Sequence, residues 1–418
     1  MSQDGYLTAV KEKQEGFNPY ISNEQNRANH YSIEITTTAM CNLGCTYCFE
    51  GVKTDKRRLD DKIDVIKQRI HEFRNSEWFQ KKYDALYISF WGGEPTLNPD
   101  LVIELIQEFQ DFDNVFFHIY TNAYNRKRFE KIVENVKLEK LHIQVSYDGE
   151  EISNKFRITH SGKGSAATVL ENMDYFVRKY PNLDISLKST IPLTAMDSIY
   201  ATWLNFKKLH DHFSDCDNIQ VSYAPTIDYV TDLPDRIVPE SVALFRKEML
   251  KVAKEEIKFY QENNRFLCSW FGEGDTKVHC ASGAHMHAIN VDGKGYACHG
   301  SFYSPNAEEM LGSDIMEDSF VDDVIKMSEK YQEPLGRISD TCKNCVATTC
   351  MICPVSSLDL SKQGSFIDRW QDRWVNNMCG FFKAFGEIDR SVQAYLEREL
   401  ELKTIPIYAA PTKQDVLV

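Results

Sequence analysis

The chain has 418 residues, 26% charged and 42% hydrophobic, the balance of a soluble globular protein with core enough for about two to three domains. Its 48 basic and 62 acidic side chains leave a net charge of −14, which argues against a nucleic-acid partner because phosphate contacts need net positive patches. No apolar run reaches the length of a membrane span and the N-terminus has no signal region, so no membrane partner and a cytoplasmic location are expected. Twelve cysteines in such a chain point to metal binding rather than to a disulfide framework.

Residues 1–30 form a polar, loosely packed leader, with no room for an N-terminal domain that grips a leader peptide. From 31 to 263 the chain alternates. Apolar or β-branched runs at 32–38, 84–90, 115–121, 141–147, 184–191 and 219–223 are followed by amphipathic stretches at 57–74, 99–111, 126–136, 165–180, 197–213 and 239–263. In the third stretch, Phe129, Ile132, Val133 and Val136 recur at helical spacing among charged residues. Six strand–helix units predict an α/β fold with a parallel sheet, right-handed crossovers and functional residues at the C-terminal strand ends. Periodicity does not separate an open doubly wound sheet from a partial barrel. Between 264 and 390 the alternation gives way to cysteines, and Asp292-Gly293 marks a hairpin turn between 288–291 and 296–298. Residues 391–418 are a helix end and a tail.

The first strand runs into Cys41-Asn42-Leu43-Gly44-Cys45-Thr46-Tyr47-Cys48, and the second into Trp91-Gly92-Gly93-Glu94-Pro95. Three thiolates in so tight a loop hold three irons of a [4Fe–4S] cube and leave the fourth open. This C-x3-C-x2-C loop, with Gly-Gly-Glu-Pro at the second strand end, resembles the radical S-adenosylmethionine (SAM) enzymes. The resemblance implies a partial (β/α)6 TIM-like barrel and SAM as cofactor on the open iron. It also implies reductive cleavage to a 5′-deoxyadenosyl radical, with Gly92, Gly93 and Glu94 receiving the SAM ammonium and Phe49 near adenine. Glycine is expected there to let the backbone approach the ligand. Ser146-Tyr147-Asp148-Gly149 resembles the S-x-D-G stretch of the peptide- and protein-modifying branch, and Arg157 follows where that branch carries an Arg. Ser146 and Arg157 are thereby candidate donors to the SAM carboxylate and ribose, and Asp148 is a candidate facing the substrate.

In the last third, Cys280-x12-Gly293-x4-Cys298, then Cys342-x2-Cys345-x4-Cys350-x2-Cys353, then Cys379 resemble the SPASM extension, with one residue of difference in each of two gaps. That resemblance implies two auxiliary [4Fe–4S] clusters, three in all. The first would take Cys268, Cys280, Cys298 and Cys353, and the second Cys342, Cys345, Cys350 and Cys379. Without Cys268 the first would have an open iron for a substrate thiolate. Taken alone, residues 342–353 read more naturally as a zinc ribbon, a preference that the upstream motifs and the further cysteines reverse, and Cys216 reads as a buried thiol. His299 follows Cys298 where sulfatase-maturing relatives place a basic Asp, and is a candidate proton acceptor.

The family implied is that of radical SAM/SPASM maturases, related to anaerobic sulfatase maturases and to enzymes of ribosomally made peptides. The expected activity is modification of a peptide or protein side chain, as a thioether, a carbon–carbon crosslink or an oxidation. Expected partners are the peptide or protein substrate and a flavodoxin or ferredoxin as electron donor, with room for a separate leader-peptide-binding protein. The alternatives are a small-molecule radical SAM enzyme, a sulfatase maturase, and a zinc-stabilised binding module.

Overall fold

The computed structural model describes residues 30–48, 50, 56–227, 239–272, 276–302, 307–335, 345–352 and 379–400. Six strands, β1 (His30–Thr36), β2 (Ala85–Trp91), β3 (Val115–Thr121), β4 (Leu141–Ser146), β5 (Asp184–Lys188) and β6 (Ile219–Gln220), pair in parallel in the order of the chain. Sequential order decides between the two architectures the periodicity left open. A doubly wound sheet reverses direction at a switch point, whereas every right-handed crossover here places its helix on the same face, as in a barrel.

The helices α1 (Ile63–Asn75), α2 (Pro99–Phe109), α3 (Arg126–Val133), α4 (Ala166–Lys179), α5 (Ile199–His212) and α6 (Pro239–Asn263) supply that layer. Each presents an apolar stripe. In α1 it is Ile66, Ile70 and Phe73, and in α3 it is Phe129, Ile132 and Val133, packed against Ile33, Ile35, Leu86, Ile88, Phe117 and Ile143 on the strands. Asn125 caps α3 by accepting from the Arg128 amide at 3.2 Å.

Three elements differ from the sequence reading. α1 starts at Ile63 rather than near 57 because the preceding backbone pairs with the chain beyond β1: Leu59 N–H donates to Thr37 O at 3.2 Å and Ala39 N–H to Arg57 O at 3.1 Å. β5 stops at Lys188 because the Thr190 amide turns to Asp148 Oδ1 at 2.8 Å instead of continuing the ladder. After Asp148-Gly149 comes a short helix absent from the sequence reading, Glu150–Phe156, which shows no apolar stripe in the sequence because Ile152 is its only buried hydrophobic side chain.

The cysteine-rich third continues the same sheet. β7 (Met286–Ile289) pairs in parallel with β1, and β8 (Lys294–Tyr296) returns antiparallel through the expected Asp292-Gly293 turn, where Gly293 has φ +90°. β9 (Leu311–Asp314) completes the edge. Arg69 of α1 ties this layer down, donating to Ile315 O at 2.9 Å and to Asp318 at 3.3 Å. Two further helices, α7 (Phe320–Leu335) and α8 (Cys379–Leu400), close the outside, with Phe381 of α8 edge-on to Phe245 of α6 at 5.1 Å. The boundary drawn at 263 is therefore a change in chain character within one continuous sheet, and that at 390 lies inside α8. Among the described residues no helix is long and apolar enough to cross a membrane.

His287 of β7 sits in this core against Tyr31, Phe73 and Phe320, with neither ring nitrogen hydrogen-bonded. Burial drives its pKa down to about 3. An imidazole depressed in the folded state takes up its proton only on unfolding, so it costs stability as pH falls below about 6.5, by about 1.4 kcal/mol per pH unit until the folded value is reached. His287→Phe is expected to flatten that acid limb. Melting temperatures of the two proteins should converge near pH 7.5, and the variant should be the more stable at pH 5.

Candidate SAM and cluster site

The site begins where β1 and β2 end, and backbone bonds carry their pairing onward. Thr37 N–H donates to Trp91 O at 3.0 Å, Gly93 N–H to Thr38 O at 2.9 Å and Glu94 N–H to Met40 O at 2.8 Å. This brings the Gly-Gly-Glu-Pro turn flush against the lead-in to the cysteine loop. A Cβ on Gly92, where φ is +143°, would lie 2.4 Å from Thr38 O, and one on Gly93 would lie 2.2 Å from Met40 O. The glycines are thus required by backbone packing onto 38–40, a reason different from the ligand approach expected of them.

Glu94 is buried, and its carboxylate accepts from Thr96 N at 3.1 Å, Thr96 Oγ1 at 2.7 Å, Thr121 Oγ1 at 2.6 Å and Asn122 N at 2.7 Å. Burial raises its pKa and these four donors pull against the shift. The carboxylate therefore fastens the ends of β2 and β3 together. Asn122, at the end of β3, donates from Nδ2 to Asn42 Oδ1 at 2.8 Å and to Cys41 Sγ at 3.7 Å, and the Leu43 amide also donates to Cys41 Sγ, at 3.4 Å.

Cys41, Cys45 and Cys48 are half-buried thiols outside any disulfide. The far side of their loop is pinned to the segment after Glu150–Phe156, with Gly44 N–H donating to Ile158 O at 2.7 Å, Thr46 N–H to Phe156 O at 3.0 Å, and the His160 ring contacting Cys41 O at 2.8 Å. Among the described residues no three His, Cys, Asp or Glu groups converge as ligands of a single ion would. Cluster thiolates each bind a separate iron and need no common centre. Donors aimed at Cys41 Sγ suit an anionic sulfur, and the set fits a three-thiolate cluster.

Asp148, Tyr47 and Arg157 form one hydrogen-bonded unit, with Asp148 and Arg157 buried and Tyr47 half-buried. Tyr47 Oη donates to Asp148 Oδ2 and accepts from Arg157 Nη1 at 2.8 Å, while Arg157 lies 3.7 Å from the carboxylate. Its other oxygen accepts from the Thr190 amide and Asp148 has no exposed surface, so protein partners occupy both oxygens of the carboxylate read from the sequence as a candidate facing the substrate. Burial raises its pKa, opposed by Arg157 and Tyr47. Arg157 is buried with Nε lacking a protein partner. Ser146 stays partly exposed on the sheet face turned away from the helices.

That inner face is polar. Glu34, Ser89, His118, His142 and Asp184 stand in one registered row across β1 to β5. His142 bridges Asp184 at 2.9 Å and Ser186 at 2.8 Å, and burial, then His142, lowers the His118 pKa well below its usual value. His299 reaches the row, with Nδ1 2.6 Å from Glu34 Oε2 and its ring stacked on Trp91 at 3.9 Å. Glu34 Oε1 is buried without a partner, and Trp91 donates to Glu50, just past Cys48, at 3.2 Å. Glu34, Tyr47, Trp91 and Asn122 were absent from the candidates read in the sequence. Of these, Tyr47 inside the cysteine motif and Asn122 at a strand end carried a positional signal.

Of the auxiliary candidates, the segments of Cys280 and Cys298 adjoin, with Gly283 N–H donating to Ala297 O at 2.8 Å. Cys280 Sγ contacts Ser282 at 3.1 Å and Cys298 Sγ contacts Ser301 at 3.5 Å. Cys268 is seated by Glu256, which accepts from its amide at 2.8 Å and from that of Leu267 at 2.9 Å. Burial raises the Glu256 pKa to about 7 against those bonds and one from Trp203. Cys350 lies in Thr349–Ile352, paired with Thr276–His279, which leads to Cys280. Cys345 Sγ accepts from Ala347 N at 3.5 Å, and Cys379 begins α8. Phe49, Cys342 and Cys353 lie outside the described residues.

This geometry matches known proteins. Residues 35–194 match the radical SAM superfamily model, so this stretch is a radical SAM domain, the kind that uses SAM and a [4Fe–4S] cluster. An uncharacterized protein of Methanocaldococcus jannaschii is 31% identical over 154 residues, 36% of this chain and only 49% of its own length. The cysteine-type anaerobic sulfatase-maturating enzyme of Clostridium novyi is 25% identical over 392 residues, 86% of this chain and 95% of that enzyme. Among solved structures, anSMEcpe with bound AdoMet superimposes with TM-score 0.61 at 17% identity, over 88% of this chain and 98% of its own. The same protein with AdoMet and the Cp18Cys peptide gives 0.59 at 16%, over 88% and 99%. These two likenesses are of fold.

Two substitutions separate the scaffold roles. Gly93→Ala is expected to destabilise by about 3 kcal/mol, because its Cβ meets fixed backbone rather than a mobile side chain. Glu94→Gln, which turns an amide NH2 on donors the carboxylate now satisfies, should cost about 1–3 kcal/mol. Denaturant titration of the purified apoproteins measures both.

Proposed function

We propose that the chain is a radical SAM enzyme that modifies a peptide or protein side chain. The observation that carries this reading is the junction of the Cys41–Cys48 loop with the Gly92–Glu94 turn, held by backbone bonds and lined by donors to Cys41 Sγ. Bound at Cys41, Cys45 and Cys48, a [4Fe–4S] cluster with SAM on its open iron supplies reductive cleavage to the 5′-deoxyadenosyl radical.

The chain's own groups do the rest. The backbone of Gly92 and Gly93, with Glu94 behind them, receives the SAM ammonium. Arg157 Nε, buried and unused by protein, and the Ser146 hydroxyl serve the SAM carboxylate and ribose. His299, oriented by Glu34, accepts a proton from the substrate. The polar inner face suits a peptide side chain better than an apolar ligand. Two auxiliary [4Fe–4S] clusters would be held by Cys268, Cys280, Cys298 and Cys353 and by Cys342, Cys345, Cys350 and Cys379, and would supply an acceptor for the electron left after hydrogen abstraction and bond formation. Support for a peptide substrate comes from the fold shared with a protein crystallised with a peptide, and from the similarity to the Clostridium novyi enzyme. Maturation of a sulfatase is the second reading, favoured by that similarity. His299 in place of an Asp weighs against it.

Protein reconstituted anaerobically with iron and sulfide, given dithionite and SAM, is expected to release 5′-deoxyadenosine, and Cys45→Ala to fall to background. Chromatographic assay of 5′-deoxyadenosine decides, and its absence from the wild type would remove the proposal. Cys298→Ala is expected to keep SAM cleavage while losing the mass change in the peptide product.

A further inference from the structure

Arg157 is placed by backbone register as well as by its side chain. The bonds from Gly44 N to Ile158 O and from Thr46 N to Phe156 O, with the antiparallel bridge Leu43↔Thr159, set Cys45 opposite Arg157. Between two such hydrogen-bonded rungs the facing pair has its side chains on one side, at the closest spacing a ladder allows.

The guanidinium is 90% buried there and Asp148 fully so, which keeps their charges from being screened by water. Their arrangement is polar. Arg157 stands opposite Cys45 in that register, whereas the Asp148 carboxylate is reached through Tyr47 Oη on one oxygen and is held by the Thr190 amide, beyond β5, on the other. The positive end of the unit is therefore turned to the cysteine loop, and the negative end to the β4–β5 side. A guanidinium keeps its proton even when buried, so Arg157 is a permanent positive charge at this position.

We propose that Arg157 is a fixed cation beside the cluster loop that raises the reduction potential of a cluster held by Cys41, Cys45 and Cys48, with Asp148 as its remote counter-charge and Tyr47 linking the two. This rests on the cluster reading above and assigns Arg157 a positioning and tuning role separate from any contact with SAM. Reduction takes one electron from a low-potential donor and adds one negative charge to a site already carrying three thiolates. A buried positive charge favours the product of that step, and cluster potentials follow local charge and hydrogen bonding to sulfur. Removing the cation makes reduction harder, and removing the remote anion makes it easier. Mere loosening of the loop would move both variants the same way.

The test is a dithionite-poised potentiometric titration of the reconstituted protein, following the part of the EPR signal that Cys45→Ala abolishes. Arg157→Gln is expected to lower the reduction equilibrium constant about tenfold, 59 mV for a one-electron couple. Arg157→Lys should stay within about threefold of wild type, and Asp148→Asn should raise the constant. An Arg157→Gln value within about twofold of wild type, or a downward shift in Asp148→Asn, overturns the proposal. If Arg157→Gln does not fold, Asp148→Asn decides alone: an upward shift supports the proposal, and no shift overturns it. A wild type that acquires no Cys45-dependent cluster overturns the cluster reading itself, a result distinct from an unmoved potential.

Discussion

Everything at this site hangs on three backbone hydrogen bonds made after the strands have ended: Thr37 to Trp91, Gly93 to Thr38 and Glu94 to Met40. A sheet normally splays at its C-terminal edge, where the loops leave in different directions. Here the pairing of β1 and β2 runs on, two glycines without Cβ atoms let the backbones meet, and Glu94 extends the connection to β3 through Thr121 and Asn122. The cysteine loop is therefore an extension of the rigid sheet rather than a flexible appendage, the condition under which a reactive site keeps its geometry.

The opposite wall is built by charge instead of ladder. Asp148, Tyr47 and Arg157 close the loop from the side of β4, with the Tyr47 hydroxyl linking the buried carboxylate to the buried guanidinium. A buried ion pair is a weak source of stability, so its presence here is better explained by where it fixes the loop and which sign it presents to the cysteines. The inner sheet face continues this polarity through Glu34, His299, His118 and His142, leaving the apolar packing to the helix side.

Much of this could be read from residue order. The six strand–helix units, the hairpin at Asp292-Gly293 and the two strand-end motifs are local patterns, and local patterns survive in one dimension. What could not be read is what depends on contacts between distant residues. Asp148 looked like a substrate-facing group because it follows a strand, yet the Thr190 amide and Tyr47 consume it. The need for Gly92 and Gly93 was visible and its cause was not, since Thr38 and Met40 lie far back in the chain. Glu34 gave no signal in an apolar strand until the ring of His299 arrived beside it. The partnership of the auxiliary cysteines rests on residues whose spacing suggests it and whose segments adjoin only in part.

The parallel pairing of β1 with β7 matches Ile33 to His287, so the strand that carries the cysteine loop keeps an open sheet edge until a segment about 250 residues further along the chain has been made. Nascent chains with such an edge invite mispairing and chaperone capture. The loop that is to receive iron therefore gains its last sheet neighbour long after it has itself been made, and its support is complete only once β7 is in place.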